Sequence, residues 1–233
     1  MRTIPLDFPK HKTFLINLKR RDDRLHQATL ACHKIGLEFT LIKATDATTA
    51  NLPKYIPSEE FEASRFNKAA YALAHTTAKI LRKAIKEDLD QILIMEDDVV
   101  WHPKANELYS KCINQLPENW KLIHFSQIHH IPSPSASAIY QKTNNLDNPL
   151  ITKLIKTYSC AAYVIKREVF EDYLAFCENP DRPIDNWLID NYQGDETVSY
   201  GTYPALSWQR SGYSDIQEGH LELTARLKQD FSQ

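Results

Sequence analysis

The sequence is poor in glycine. Its 233 residues include five glycines, which are Gly36, Gly194, Gly201, Gly212 and Gly219. No two of them have the spacing of a dinucleotide-binding motif or a P-loop, in which glycines let the backbone approach a phosphate. The sequence therefore excludes a glycine-loop phosphate site, and the phosphates of any bound nucleotide must be held by other groups.

Cysteines and long apolar runs are also scarce. The four cysteines form no C-x-x-C pair, so we expect buried thiols in a reducing compartment. No apolar run approaches the roughly 18 residues of a membrane span, and the first residues lack an apolar segment of signal-peptide length. We expect a soluble, cytoplasmic protein, and a peripheral association with the inner face of the cytoplasmic membrane stays open.

The charge of the chain is nearly balanced. Lysine and arginine number 28 against 30 aspartates and glutamates, for a formal charge of -2. This balance excludes nucleic-acid binding by bulk charge. Hydrophobic residues at 42% and charged residues at 25% are typical of an ordinary globular protein and exclude general disorder.

Short apolar runs alternate with helical spacings in the first hundred residues. Residues 13–18 indicate a buried strand, residues 25–36 a helix that ends near Gly36, and residues 37–44 a second strand. Residues 67–87 have the apolar stripe of a long helix, and residues 91–95 form a fully apolar strand. This order predicts an α/β fold with a mostly parallel central sheet flanked by helices.

The second half continues the alternation without a repeat or a domain boundary, so we predict a single domain over residues 1–233. Strands are predicted at 121–125, 158–165 and 197–208, and helices at 167–177 and 184–192. A stretch rich in proline, serine and asparagine at 126–149 predicts a loop or lid. Residues 218–233 are predicted to be a helical tail.

Three consecutive acidic residues follow the apolar strand at 91–95: Glu96, Asp97 and Asp98. In open α/β sheets, ligands bind beyond the carboxyl ends of the strands. Adjacent carboxylates raise one another's pKa unless a cation neutralises them, and alternate residues such as Glu96 and Asp98 could direct two oxygens at one Mg²⁺ or Mn²⁺. That ion could bridge a nucleotide diphosphate. The alternative is a solvated acidic loop or a helix N-cap.

Several short motifs occur in a distinctive order. They are residues 14–18 with Arg21 and Arg24, residues 43–46, 72–75 with 83–84, 94–99, 162–165, 183–185, and Pro204 through 214–216. This ordered set, over residues 13–217, resembles glycosyltransferase family 25, the bacterial lipooligosaccharide sugar transferases with animal collagen galactosyltransferases as relatives. Ala74 stands where that family usually has serine.

The resemblance implies a GT-A type nucleotide-sugar-binding fold and transfer of a sugar, most often galactose from its UDP form. The acidic motif would fill the role of the metal-binding Asp-x-Asp sequence, with Glu96 and Asp98 as ligands of Mn²⁺ or Mg²⁺. The acceptor would be an oligosaccharide or lipid-linked glycan.

Further candidate residues for binding the UDP-sugar donor surround these motifs: Asn17, Arg21, Arg24, Asp46, His75, Asp97 and Asp215. An amide at a strand end could contact uracil or ribose, arginines pair with diphosphate oxygens, and Asp46 could accept from a hydroxyl. The structural alternatives are a strand-end cap for Asn17, surface charges for the arginines, and turns for Asp46 and Asp215. His75 is either a packed histidine or a contact to phosphate or sugar.

The candidate catalytic base is Asp185, which the resemblance places in the family's Pro-x-Asp block. It could deprotonate the acceptor hydroxyl in an inverting reaction, bind the donor sugar, or cap a helix. Asp190 is the second candidate base. Nearby Trp187 could stack on a sugar ring or lie in the core. The histidines at 124, 129 and 130 lack the further ligands of a zinc site.

Two other function classes are compatible with the same residues. A metal-dependent phosphoryl-handling enzyme, such as a nucleotidyltransferase or phosphatase, would release pyrophosphate or phosphate instead of UDP. A non-catalytic carbohydrate-binding protein would tolerate the loss of Asp98.

Overall fold

The structure is a computed structural model of the chain. It describes residues 8, 12–52, 67–126, 140–142, 150–194, 198–202, 204–214, 216 and 219–221.

The described residues form strands that alternate with helices in the first half of the chain. The strands are β1 (Thr13–Asn17), β2 (Thr40–Lys43), β3 (Gln91–Glu96), β4 (Val99–Trp101), β5 (Leu122–His124), β6 (Tyr140–Lys142), β7 (Ile151–Leu154), β8 (Ala162–Lys166), β9 (Ser199–Thr202), β10 (Ser207–Gln209), β11 (Gly212–Ser214) and β12 (Gly219–Leu221). The helices are α1 (Asp22–Lys34), α2 (Lys68–Lys86), α3 (Ala105–Ile113), α4 (Phe170–Glu178, preceded by a 3₁₀ turn at Arg167–Val169) and α5 (Ile184–Tyr192).

Eight strands form the main sheet, in the order β2-β1-β3-β8-β5-β9-β7-β6. β1 runs parallel to both β2 and β3, and β5 runs parallel to β9. β8 lies between β3 and β5 and runs antiparallel to both. β3 and β5 therefore point the same way, and their carboxyl ends share one edge of the sheet. β7 and β6 complete the sheet with antiparallel pairing.

The central strands are buried on both faces, and alternation along each strand divides the core in two. In β1, Phe14 and Ile16 pack into the layer that contains α2, α4 and α5, whereas Leu15 packs into the layer that contains α1 and α3. β3 divides in the same way, with Ile94 in the first layer and Met95 in the second. The predicted α/β class, with helices flanking a central sheet, is confirmed.

Local sequence signals explain several element boundaries. Asn67 caps α2, because its side-chain oxygen accepts from the N–H groups of Ala69 and Ala70 at 3.0 Å each. Gly36 follows α1 with φ of 69°, and its N–H donates to the carbonyl of His33, as in a glycine-terminated helix. The predicted positions of α1, α2, β3 and α5 agree closely with the structure.

Three segments differ in part from the sequence predictions. The strand predicted at 197–208 is two strands, β9 and β10, which belong to different sheets. The segment between them contains Pro204, which cannot donate to a strand ladder. In the tail predicted to be helical, residues 219–221 are a strand, since β12 pairs with β11, while residues 222–233 lie outside the described residues. In the predicted loop at 126–149, β6 pairs with β7, while residues 127–139 and 143–149 lie outside the described residues.

Candidate functional site

The acidic motif lies at the carboxyl end of β3. Glu96 is the last residue of that strand, and Asp97 and Asp98 form the turn into β4. The register pairs Ile16 of β1 with Glu96, so Asn17 comes beside the turn. Its amide nitrogen donates to Asp97 Oδ2 at 2.7 Å and to the carbonyl of Arg21 at 3.0 Å. Asn17 thus joins two strand ends and holds the Asp97 carboxylate in place.

Arg24 reaches the same turn from the first turn of α1. Its Nε lies 2.8 Å from Asp97 Oδ1, and its Nη2 lies 2.6 Å from Asp98 Oδ2. Both carboxylates therefore contact one guanidinium in a largely buried setting. Four of the predicted site residues, Asn17, Arg24, Asp97 and Asp98, thus lie together, with Arg24 acting on the carboxylates of the chain itself.

Burial dominates the electrostatics of the acidic motif. Desolvation raises the pKa of Asp97 to about 6, against the opposing charge of Arg24. It raises the pKa of Asp98 as well, again against Arg24. The pKa of Glu96 lies well above its ordinary value because of burial and, next, the charge of Asp98. Negative charge is thus held here at an energetic cost.

Asp185 approaches this cluster from the first turn of α5. Its carboxylate accepts the backbone N–H of Asn186 at 3.0 Å and a backbone hydrogen bond from Ser159. Desolvation raises its pKa, and its charge contributes to the raised pKa of Glu96. By strand alternation the Glu96 side chain lies on the face of the sheet covered by α2, α4 and α5. The candidate base and the candidate metal ligand are therefore electrostatic neighbours on that face.

The residues fit a divalent cation in one specific respect. Asp98 Oδ1 is buried and has no hydrogen-bond partner among the described residues, while its other oxygen is held by Arg24. A buried carboxylate oxygen without a donor is costly, and a cation would satisfy it. No group of three His, Cys, Asp or Glu side chains in the described part of the chain is arranged to hold a metal. An ion here would thus take one or two carboxylates from the chain and its other ligands from substrate and water, as Mg²⁺ commonly does.

Other predicted donor-site residues have local partners. Asp46 accepts from the backbone N–H and the hydroxyl of Thr48 at 3.0 and 2.7 Å, and from Arg20 Nε at 3.0 Å. The hydrogen bond from the Thr48 hydroxyl is the largest cause of its lowered pKa. Arg21 pairs with Asp23 at 3.0 Å, and its charge also lowers the pKa of Asp97 to a small extent.

His75 lies in the middle of α2, half-buried, with its ring centroid 4.9 Å from that of Tyr71. The next residue, Thr76, accepts from the backbone N–H of Thr45 at 2.9 Å, which places this part of α2 beside the end of β2. Asp215 lies outside the described residues. Ile216, the residue that follows Asp215, accepts at its carbonyl from the Asn67 side chain at the start of α2.

The second candidate base is not part of the cluster. Asp190 pairs with Arg182 at 2.7 Å, and 53% of its side chain is exposed. Trp187 stacks on Tyr173 and Phe176 of α4, with centroids 5.1 and 4.9 Å apart. The structure therefore places Asp185, and not Asp190, beside the acidic motif.

Three residues of this region were missed by the sequence analysis as contributors to the site. Ser159 has φ of 92°, a left-handed conformation that is costly for a non-glycine residue and is common at functional sites. Arg210 donates its backbone N–H to the carbonyl of Asp98 at 2.8 Å. His124, at the end of β5, is fully buried, and desolvation lowers its pKa to about 4. The sequence carries no signal for Ser159, because nothing in its neighbours predicts a positive φ.

Among the helices that the structure describes, none combines the length and apolar character of a transmembrane segment.

Three solved structures resemble the fold at low sequence identity. A glycosyltransferase involved in the glycosylation of the major capsid of PBCV-1 is 12% identical, with 88% of this chain and 95% of that chain covered and a TM-score of 0.48. A197 from STIV is 12% identical, with coverage of 90% and 92% and a TM-score of 0.43. Mannose-1-phosphate geranyltransferase from Thermus thermophilus is 8% identical, with coverage of 84% and 60% and a TM-score of 0.39. No curated protein sequence matches the chain.

The sequence model of glycosyltransferase family 25 (LPS biosynthesis protein) matches residues 10–188. The match runs from before β1 into α5 and includes Asn17, Arg24, the acidic motif and Asp185. Asp215 and the motif around it lie beyond the matched range. The chain therefore belongs to glycosyltransferase family 25, and its reaction is the transfer of a sugar from a nucleotide-sugar donor to a glycan acceptor.

Proposed function

We propose that the protein is a metal-dependent, inverting galactosyltransferase that uses UDP-galactose and a saccharide acceptor of lipooligosaccharide or a similar surface glycan. The observation that carries this proposal is the carboxylate cluster at the end of β3. Glu96, Asp97 and Asp98 lie there, Asp185 is close enough for its charge to act on Glu96, and all four have raised pKa values. Arg24 pairs with two of these carboxylates. The excess of negative charge favours a cation as part of the working site.

The donor side of the site would be formed by β1, β3 and α1. Glu96 and the Asp98 oxygen that has no partner among the described residues would hold Mn²⁺ or Mg²⁺, which when bound supplies positive charge to the departing nucleoside diphosphate. Arg24 and Asn17 keep the neighbouring carboxylates fixed, so the arrangement is formed before the donor arrives. Arg21, Asp46, His75, Asp97 and Asp215 are proposed to contact the nucleotide or its sugar.

The acceptor side would be formed by the start of α5. Asp185 is the proposed base that takes the proton of the acceptor hydroxyl. Its burial raises its pKa, which makes the carboxylate a better proton acceptor near neutral pH. The N–H groups of Asn186 and Ser159 hold the carboxylate without neutralising it. One base opposite the leaving group is sufficient for a single displacement, and therefore the anomeric configuration would invert.

The decisive assay measures products. The purified chain is incubated with UDP-galactose, UDP-glucose or UDP-N-acetylglucosamine, a core oligosaccharide acceptor and Mn²⁺, and free UDP is quantified against pyrophosphate and phosphate. We expect acceptor-dependent release of UDP with UDP-galactose, and an anomeric configuration in the product, read by NMR, that is opposite to that of the donor.

Each part of the proposal can fail separately. Pyrophosphate or phosphate release would support a phosphoryl-handling enzyme, and binding without turnover would support a carbohydrate-binding role. Retention of configuration would exclude the single-displacement role of Asp185. A matched control for every variant at the site is Glu87→Gln, since Glu87 pairs with Lys83 at the far end of α2 and should not affect turnover.

A further inference from the structure

A second concave surface lies on the outer side of α5, between that helix and α4. Its volume is about 470 Å³, and it is lined by Phe176, Asp181, Arg182, Trp187, Asp190 and Asn191, among others. We call it the α4–α5 groove. The sequence named only Trp187 of these residues as a ring that could stack on a sugar, and the donor and acceptor roles proposed above do not use the groove.

The groove is separate from the reaction centre. Successive residues of an α-helix are rotated by about 100°, so Trp187 lies about 200° and Asp190 about 140° around α5 from Asp185. Both therefore lie on the side of α5 opposite the candidate base. A ligand in the groove would not touch the carboxylate cluster, although the same short helix contributes to both places.

The floor of the groove contains a fixed aromatic ring. The Trp187 ring is nearly parallel to those of Tyr173 and Phe176, with interplanar angles of 5° and 13°. The ring centroids of Tyr173 and Phe176 are 6.5 Å apart. If Trp187 lay between Tyr173 and Phe176, van der Waals contact on both faces would hold those two rings about 7 Å apart or more. Because their centroids are closer than that, Tyr173 and Phe176 both contact the same face of Trp187. The other face is not covered by α4. Tyr192 approaches the indole at a tilt of 59°.

The rim of the groove carries polar groups held in position. Arg182 pairs with Asp181 at 3.0 Å and with Asp190 at 2.7 Å, and the Asn191 amide donates to the carbonyl of Trp187 at 2.8 Å. Carboxylate, guanidinium and amide groups supply donors and acceptors side by side. A pyranose ring has one apolar C–H face and a rim of hydroxyls, so an indole bordered by such groups matches its chemistry.

We propose that the α4–α5 groove binds a sugar unit of the acceptor glycan, away from the hydroxyl that reacts. This inference rests on the proposed glycan acceptor. Binding at a distance from the reacting atoms would be equal in the ground state and the transition state, so it would lower the KM of an extended acceptor without changing kcat. The groove would thus favour long acceptors over short ones.

The test combines direct binding with kinetics. Saturation-transfer NMR with lactose, without donor or metal, is recorded for the parent chain, Trp187→Phe and Asn191→Ala, with Glu171→Gln on the exposed side of α4 as control. Trp187→Phe keeps an aromatic ring against Tyr173 and Phe176, and circular dichroism confirms that each variant is folded. We expect saturation transfer in the parent and the control, and at least a threefold loss in both groove variants. The KM for a core oligosaccharide should rise by a similar factor, with kcat and the KM for a monosaccharide acceptor unchanged.

Undiminished saturation transfer in both groove variants, or none in the parent chain, would overturn the inference. Displacement of lactose by hexalysine at low ionic strength, with tighter binding of the peptide, would overturn it in favour of a basic protein partner for the acidic rim. The binding measurement needs no turnover. If lactose binding depends on the groove and no UDP is released in the product assay, sugar binding in the groove stands, while the proposed function and the role of that sugar as part of an acceptor fail.

Discussion

The ends of β2 and β3 lie on the same edge of the sheet, and each is followed by aspartate close to an arginine. After β2, both oxygens of Asp46 have partners, from Thr48 and Arg20, and its pKa is lowered. After β3, Asp98 keeps one buried oxygen without a partner among the described residues, and its pKa is raised. Nearly the same residue types at equivalent ends of β2 and β3, two parallel strands that β1 separates, therefore have opposite electrostatic character.

The difference comes from what surrounds each carboxylate. Asp46 lies in a turn whose own hydroxyl and N–H groups satisfy it, which is a local and stabilising arrangement. Asp98 is crowded by Glu96 and Asp97 in a desolvated position, and Arg24 is shared between two acids. A chain that keeps such a cluster bears a cost in folding stability, which is common where the residues serve a ligand.

The sharpest test of this comparison is Asp98→Ala, for which we expect at least about a thousandfold loss of transfer. The thermal unfolding midpoint should stay the same or rise, because the substitution removes a buried carboxylate from a repelling cluster. Turnover is measured by UDP release, and unfolding by circular dichroism. Excess chelator added to the parent chain should reproduce the loss. Full activity in chelator would remove the metal from the mechanism, and a large fall in the unfolding midpoint would make Asp98 a structural residue.

Asp185→Asn distinguishes the proposed role of Asp185 as the base from the proposed metal-binding role of the other carboxylates. The amide keeps the shape of the side chain and removes the proton acceptor, so kcat should fall on the order of a hundredfold or more. The affinity for UDP-galactose, measured by calorimetry, should change little. Loss of donor affinity with unchanged kcat at saturation would instead make Asp185 a sugar-binding residue. Asp190→Asn is the comparison, since Asp190 pairs with Arg182 on the opposite side of α5.

The sequence predicts well where the strands end and predicts poorly which side chains contact one another at those ends. Apolar runs bounded by polar residues locate β1, β3 and α5, and hence Asn17, the acidic motif and Asp185, because burial imposes a pattern on consecutive residues. The bond between Asn17 and Asp97 joins residues 80 positions apart, and no local pattern encodes it. Arg24 was expected to pair with a diphosphate, and its contacts to Asp97 and Asp98 follow from where α1 starts relative to β3. Likewise, the left-handed backbone of Ser159 depends on its tertiary contacts.

His124 tests whether burial also shifts the pKa of a group that is not a carboxylate at this edge of the sheet. Burial lowers its pKa to about 4, below the ordinary value near 6.5, so the unfolded chain binds the proton more readily. This group should therefore contribute fully to stability above about pH 6.5 and lose roughly 3 kcal/mol as the pH falls to about 4. The buried carboxylates with raised pKa make the free energy of unfolding change with pH in the opposite direction. The contribution of His124 is therefore isolated by comparing the parent chain with His124→Phe. We expect the free energy of unfolding, measured with urea, to fall less over this pH range in the variant than in the parent chain. An equal fall in both would show that His124 is protonated within the folded chain.

The smallest effect on folding stability is expected at Asp46, and this substitution bears most directly on the comparison of the two strand ends. Asp46→Asn keeps the side-chain oxygen that accepts from Thr48 and weakens the contact to Arg20, whose side chain is 42% exposed. Exposed ion pairs contribute about 1 kcal/mol or less, so the free energy of unfolding should fall by no more than that. If the turn is the whole role of Asp46, the KM for UDP-galactose should change less than about threefold, which corresponds to less than about 0.7 kcal/mol of binding free energy. A tenfold rise in that KM with kcat unchanged would show that Asp46 binds the donor, as the family motif implies. Both strand ends would then belong to one donor site, and the satisfied turn would be an arrangement that the nucleotide opens.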